Sequence, residues 1–402
     1  MGILPKYQTT ILTRIVILIS TLVILNSLLW VVTSLTFSGK LLSLALVAWT
    51  LGLRHGLDSD HIASIDNSIR QLSAKGIYPV TVGLYFATGH SSVVLLVTVA
   101  LIAGAQVYDN LSSLEDFGGV IGGSISSAFL LLLGIANSIT LYQAIQSRRK
   151  MKVRLENGDV EGNSEENETK SPTFLFRVLS PVLKFVDKPS KLLWVGILFS
   201  LGFDTSSSIV LLSVSALAAE DVQNPIYVLL FPLLFAAGMI LVDSLDNAMM
   251  VFLYTPRLEW KKEAQFKLFE NLNDDKSSIA SEEAASDEGA PLIDGDTNAY
   301  GTVTLPEDDK LVQQKILDIN KYTVIITALS VTIALGISII QIMGLVVDNC
   351  QTCSDHIDKG DWIGNWWQFW VTLNDNSIYI GVGIIASFSV ILVMYFLLYS
   401  KS

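Results

Sequence analysis

The chain has 402 residues, 51% of them hydrophobic and only 16% charged, with 26 Lys and Arg against 38 Asp and Glu for a formal net charge of −12. Soluble domains average about 25% charged residues. Low charge, a mean hydropathy of +0.50 and apolar runs of bilayer length indicate an all-α integral membrane protein and exclude a disordered or fibrous chain. The acidic balance argues against nucleic acid as a partner. Two cysteines cannot form a disulfide scaffold.

Eight transmembrane helices are expected in chain order. They run Ile11 to Phe37, Leu41 to Ile69, Pro79 to Ala103, Val120 to Ile145, Leu192 to Leu217, Ile226 to Tyr254, Val324 to Val347 and Ile378 to Tyr399. The first is too long for a signal peptide and lacks a small-residue cleavage site. The second is clean only from Leu41 to Leu53; charge crowds the rest. Residues 1–147 thus hold four spans and 148–191 a cytoplasmic linker. Residues 192–255 hold two more spans, and 256–321 form an acidic cytoplasmic loop. Its stretch Asn271 to Asp309 has too few large apolar residues for a core and is expected to be disordered. Residues 322–402 hold the last two spans with an outer loop rich in Cys and Trp.

Lys and Arg fix the expected orientation. With both termini cytoplasmic, the outer loops hold only Lys40 and Lys359, and Arg54 lies in a span; every other basic residue falls inside or at a cytoplasmic helix end. The outer loops also hold ten of the acidic residues. The excess negative charge therefore belongs to the outer face and to the spans.

The spans carry six carboxylates and three of the four histidines. The second reads R-H-G-L-D-S-D-H-I-A-S-I-D-N-S-I-R and contains His55, Asp58, Asp60, His61 and Asp66; the third carries His90, the fifth Asp204, and the sixth Asp243 and Asp246. An ionised carboxylate at the bilayer centre costs about 2.5–3.5 kcal/mol, so these groups must pair, line water or hold a cation. On a straight helix with His55 at 0°, Asp66 falls near about 20°, Asp58 near about −60° and His61 near about −120°. One bundle-facing cluster can hold those four. Asp60 points the other way unless the helix is broken at Gly56. Asp243 and Asp246 share a face. Imidazole with carboxylate suits a borderline divalent ion such as nickel, cobalt or zinc. Blander readings stand beside this one: an Arg54–Asp58 ion pair, a His90 that only bonds a neighbouring helix, and a Thr205–Ser208 hydroxyl run that serves packing.

No Walker-type loop is present, nor H-E-x-x-H, and no nucleophile is paired with a base, so an enzyme is not expected. In the outer loop, Cys350-x-x-Cys353-x-x-His356 reads as a tight disulfide or as metal capture. Trp362, Trp366, Trp367 and Trp370 are expected to anchor at the interface.

These residues resemble the nickel/cobalt transporter family, NiCoT, along nearly all of the membrane portion. The second-span signature R-H-A-x-D-A-D-H-I is similar to Arg54 through Ile62, and G-H-S/T-x-V-V to Gly89 through Val94. L-G-F-D-T is similar to Leu201 through Thr205, and G-M-x-x-x-D-T-x-D to Gly238-Met239 with Asp243 and Asp246. Gly56 and Ser59 replace alanines, Ser208 stands where many relatives carry Glu, Ser244 replaces Thr, and Asn247 replaces a frequent Gly. The charged cytoplasmic loops look like those of fungal members. The resemblance implies a multi-pass plasma-membrane permease taking up nickel(II), with cobalt as a second substrate. It needs no cofactor and supplies intracellular nickel enzymes such as urease. His55, Asp58, Asp60 and His61 would form the metal-selecting core with His90 as their partner; Asp66, Asp204, Asp243 and Asp246 are the other metal candidates. The partners are the divalent ion and the lipid bilayer. Secondary transport on the membrane potential or a proton gradient is expected. A metal exporter or a divalent-cation channel has the same architecture.

The orientation has a direct test. Asn110-Leu111-Ser112 lies outside and Asn167-Glu168-Thr169 inside, so glycan is expected only at Asn110. Glycosidase-sensitive modification lost on Asn167→Gln would reverse the topology.

Overall fold

The computed structural model describes residues 7–73, 77–102, 111–157, 188–200, 225–254, 269–271 and 307–399. Thr10 starts helix α1 (Ile11–Thr36): its hydroxyl accepts the Thr13 N–H at 3.2 Å. Ile17, Ile24, Leu28 and Leu35 face outward, while Thr13, Asn26 and Thr33 are buried. That inversion suits a helix whose outer solvent is lipid. The chain reverses at Gly39, whose φ of +56° only glycine adopts cheaply. Helix α2 (Gly39–His55) then returns beside α1. The Trp49 indole N–H donates to Asn26 Oδ1 at 3.0 Å, and the Asn26 amide donates to the Ala237 carbonyl at 3.2 Å.

Helices α3 (Ser59–Ser73), α4 (Val82–Ile102), α5 (Leu111–Asn157), α6 (Leu192–Ser200) and α7 (Leu230–Tyr254) follow, then α8 (Glu307–Asp348), α9 (Gln351–Lys359), α10 (Trp362–Asp375) and α11 (Ser377–Tyr399). Helix α7 is the hub, packing on α1, α2, α3 and α4. Small residues make this possible. A Cβ at Gly52 would lie 2.1 Å from the Phe235 carbonyl oxygen. Helices α4 and α6 share a reciprocal contact: a Cβ at Gly89 would meet the Leu193 oxygen at 2.0 Å, and one at Gly196 the Phe86 oxygen at 2.1 Å. Backbone lies directly against backbone at these crossings.

Among the described residues, six helices are long and apolar enough to cross a membrane: Ile11–Thr36, Val82–Ala100, Val120–Ile139, Pro225–Tyr254, Val324–Asp348 and Ser377–Met394. The expected second span is not one helix. It breaks into α2 and α3, of 17 and 15 residues. Of the expected fifth span the structure describes only Leu192–Ser200; Asp204 and the hydroxyls at 205–208 lie outside the described residues. Two helices outrun their spans. Helix α5 continues through Arg148 to Asn157, the last described residue of this segment. Helix α8 starts at Glu307, inside the segment read as disordered. Pro306 precedes it, and no Gly or Pro follows until the apolar stretch is well under way. The all-α expectation also meets one exception: strand β1 (Tyr7–Thr9) pairs antiparallel with β2 (Phe269–Asn271).

The segment between the last two spans, 351–375, is a helical hairpin. Cys350 and Cys353 form a disulfide. Gly360, left-handed at φ +65°, ends α9. Asp361 caps α10, accepting the Gly364 N–H at 2.7 Å and His356 Nδ1–H at 2.6 Å. The Gly364 backbone N–H, and then His356, hold its carboxyl below the ordinary carboxylate range. This cap is complete above the ordinary Asp pKa and is lost as pH falls through the lowered value. With the thiols joined and His356 turned to Asp361, the alternative of metal capture by Cys350, Cys353 and His356 is not assembled.

The glycine contacts predict an asymmetry. Gly52→Ala and Gly196→Ala force helices apart at a cost of about 1–3 kcal/mol. Gly336→Ala and Gly383→Ala, with nothing within 4 Å of the new Cβ, leave the thermal midpoint of detergent-purified protein unchanged.

Candidate metal site

The site is built on the break between α2 and α3. Gly56 N–H bonds the Gly52 oxygen at 3.1 Å, but Leu57 and Asp58 bond back only three residues, to Arg54 and His55, both at 3.0 Å. The chain is therefore wound tighter than an α-helix for about one turn. Each residue so wound advances by about 20° more than in an α-helix, roughly 60° over three. His61 swings toward His55, and Asp66 swings away. Gly56 packs closely here: a Cβ would sit 2.9 Å from Val242 and 3.1 Å from Asp243 Oδ1.

Three imidazoles meet at this point. His55 ends α2, His61 lies in the first turn of α3, and His90 comes from α4. Their ring centroids are 4.6 Å (His55–His61), 4.9 Å (His55–His90) and 4.8 Å (His61–His90) apart. One nitrogen from each lies within 4.8 Å of the other two. His55 Nε2 and His90 Nε2 are 2.9 Å apart. All three residues are buried, His61 completely. Phe86, one turn from His90, packs edge-on against His61 at 4.9 Å, and Phe235 stacks on His55 at 5.8 Å.

Two carboxylates orient two of the rings. Asp58 Oδ2 lies 2.8 Å from His55 Nδ1, and Asp243 Oδ2 lies 3.1 Å from His61 Nδ1. A carboxylate accepts, so each Nδ1 carries a proton, and in the neutral ring Nε2 is then the atom with a free lone pair. Carboxylate–histidine pairs of this kind orient metal ligands. Among the described residues, buried His61 Nε2, His90 Nδ1 and Asp243 Oδ1 have no hydrogen-bond partner.

The other expected residues divide. Asp58 bonds His55 instead of Arg54, whose side chain is exposed. Asp60 turns back to accept the His61 backbone N–H at 3.0 Å. Asp66 does not join the imidazoles, contrary to the straight-helix reading. The tight turn rotates it toward α7 and α8, where it accepts from the Tyr254 hydroxyl at 2.6 Å and from the Ser330 hydroxyl. Arg70 is buried in the field of Asp66 and Tyr254. Asp246 is buried, and among the described residues neither of its oxygens has a hydrogen-bond partner. It is close enough to Asp243, Asp66 and His61 to feel their charges. Asp204 lies outside the described residues. Tyr254, Ser330 and Ser377 emerge only from the structure. Ser377 bonds Asp58 from the start of α11, and its one sequence signal was the polar run Asn374-Asp375-Asn376-Ser377 ahead of an apolar span.

Residues 41–266 match the family model NicO, described as high-affinity nickel-transport protein. A "High-affinity nickel transport protein" of Cryptococcus neoformans var. grubii is 35% identical over 97% of this chain and 90% of its own length. "High-affinity nickel-transport protein NixA" of Helicobacter pylori strain 26695 is 39% identical over 52% of this chain and 63% of its own length. "Cobalt transport protein NhlF" of Rhodococcus rhodochrous is 34% identical over 54% of this chain and 62% of its own length. The chain thus spans less than two thirds of these two bacterial relatives. No solved structure matches.

The Asp243–His61 pair makes a prediction. Asp243→Ala frees the His61 ring and weakens nickel(II) binding to purified protein by about 10–100-fold. Asp243→Asn keeps an acceptor for Nδ1–H and loses less. Calorimetric titration of the two variants checks the order.

Proposed function

The chain belongs to the NicO family of high-affinity nickel-transport proteins, and from that premise we propose that it carries nickel(II) across the plasma membrane into the cell, with the His55, His61 and His90 cluster as its selecting site. The observation that carries this reading is the convergence of three buried imidazoles, two of them held by carboxylates through Nδ1. Imidazole donors suit nickel and cobalt, whereas calcium and magnesium take oxygen. Two donors each about 2.1 Å from one ion and at right angles are about 3.0 Å apart. The 2.9 Å between His55 Nε2 and His90 Nε2 fits that arrangement, as in the tetragonal geometries nickel favours. Cobalt is a second substrate on the same chemistry, supported by the likeness to the Rhodococcus protein.

Eight crossings with both termini cytoplasmic fit this role. Six of the described helices are long and apolar enough to cross whole; on this reading α2 with α3 makes a broken crossing, and α6 begins another. Broken helices at mid-membrane are where transporters bind ions, because the break exposes polar groups only to the protein interior.

Asp246 is the next station. Two unpartnered carboxylate oxygens buried among helices cost several kcal/mol, and a cation leaving His61 removes that cost. Asp66, with its donors Tyr254 and Ser330, lies beyond. The membrane potential suffices as a driving force. A dication crossing about 100 mV gains about 4.6 kcal/mol, roughly a two-thousandfold accumulation.

Uptake of radioactive nickel in a strain without its own permease tests the reading. Wild-type protein is expected to import nickel and to sensitise cells to it, whereas an exporter would protect them. His61→Ala is expected to abolish import; wild-type rates in that variant would remove the site from the pathway. Asp246→Asn is expected to lower the maximal rate by about tenfold or more while KM changes little, as befits a group met after selection.

A further inference from the structure

Asp58 is held from two sides. Its Oδ2 takes His55 Nδ1–H at 2.8 Å, and its Oδ1 accepts the Ser377 hydroxyl at 3.2 Å. Ser377 stands 319 residues along the chain, beyond the 41–266 stretch that matches the family model. It is the first residue of α11, after the polar interruption Asn374-Asp375-Asn376 that separates two apolar helices. One turn further, Gly381 lies against the break itself: a Cβ there would be 1.9 Å from the Leu57 carbonyl oxygen. The break is therefore gripped between α7, through Gly56, and α11, through Gly381. Ser377 sits at the end of that grip, facing the carboxylate that orients His55.

We infer that Ser377 is a positioning residue for metal selection: by anchoring Asp58 Oδ1 it keeps that carboxylate on His55 and away from the ion. The physical argument is rotational. A carboxylate with one oxygen tied to a hydroxyl and the other to an imidazole N–H cannot turn toward a metal without giving up a bond. The ion then meets nitrogen donors. Without the hydroxyl, Asp58 turns more freely. His55 loses its fixed ring orientation, and a hard oxygen competes for the ion. Oxygen donors favour nickel less strongly than imidazole does. Both affinity and discrimination then fall.

The inference rests on the nickel reading above, and the experiment separates the two. Nickel uptake and equilibrium nickel binding per mole of purified full-length protein are measured for wild type, Ser377→Ala, Ser377→Thr and His61→Ala, with cobalt and manganese as competitors. Ser377→Ala is expected to raise KM and the binding constant by about 3–10-fold, below the largest effects of removing a metal's outer partners. Its maximal rate per molecule is expected to stay within about twofold, and competition by manganese to grow. Ser377→Thr, which keeps the hydroxyl, restores wild-type values. A purely structural role would lower abundance or maximal rate and leave KM and metal preference alone. Unchanged KM and unchanged competition in Ser377→Ala overturn the inference, as does a Ser377→Thr variant as impaired as Ser377→Ala. Nickel transport that survives His61→Ala instead overturns the site on which the inference depends.

Discussion

Two carboxylates, Asp243 fully buried and Asp58 partly so, are each fastened to the Nδ1 of a histidine, and they are the constraint around which the molecule is arranged. Asp243 and His61 are shielded from solvent altogether, in a protein whose outer surroundings are hydrocarbon. Such groups persist there only when paired. The pairing has a chemical consequence. It sets a proton on each Nδ1 and leaves Nε2 as the remaining donor atom, that of His55 lying 2.9 Å from His90 Nε2. The same bonds that make burial tolerable therefore prepare the donors for a cation.

Bringing those groups together needs close helix approach. Asp243 is on α7, His55 on α2, His61 on α3 and His90 on α4, and all three of those helices pack on α7. Glycines at 52, 56 and 83 allow it: Cβ atoms there would lie 2.1 Å from the Phe235 oxygen, 2.9 Å from Val242 and 2.1 Å from the Asp243 oxygen. Packing of this kind is how helices associate in a solvent that gives them no hydrophobic reason to do so. Side chains in place of these hydrogens would separate the imidazoles before they changed the chemistry of any one of them.

The proposed path follows from which buried groups are satisfied. Asp58, Asp66 and one oxygen of Asp243 have donors; Asp246 has none among the described residues. An unsatisfied carboxylate beside a satisfied cluster offers an ion somewhere to go without a deep well to hold it. Transport needs that balance, since a site that binds too well does not release. The ten acidic residues read in the outer loops would raise the local concentration of dications, in a salt-dependent way. They do not discriminate among them, because a screened field responds to charge and not to donor type.

Membrane class, most of the crossings, the four signatures and the three histidines were legible in the amino-acid sequence, because hydropathy and intramembrane charge are local properties that lipid penalises residue by residue. The family resemblance came from the same local runs. What only the tertiary structure decided was direction. A straight-helix wheel put Asp66 beside His55, but about one turn of tighter winding at Gly56 to Asp58 turned His61 in and Asp66 away. Helix α8 began earlier than composition suggested, since hydrogen bonding along a charged helix leaves no apolar trace. Ser377, Ser330 and Tyr254 lie 319, 264 and 188 residues from the carboxylates they bond. Their partnership depends on how α7, α8 and α11 pack around the break, and packing across a bundle is not written in the order of the chain.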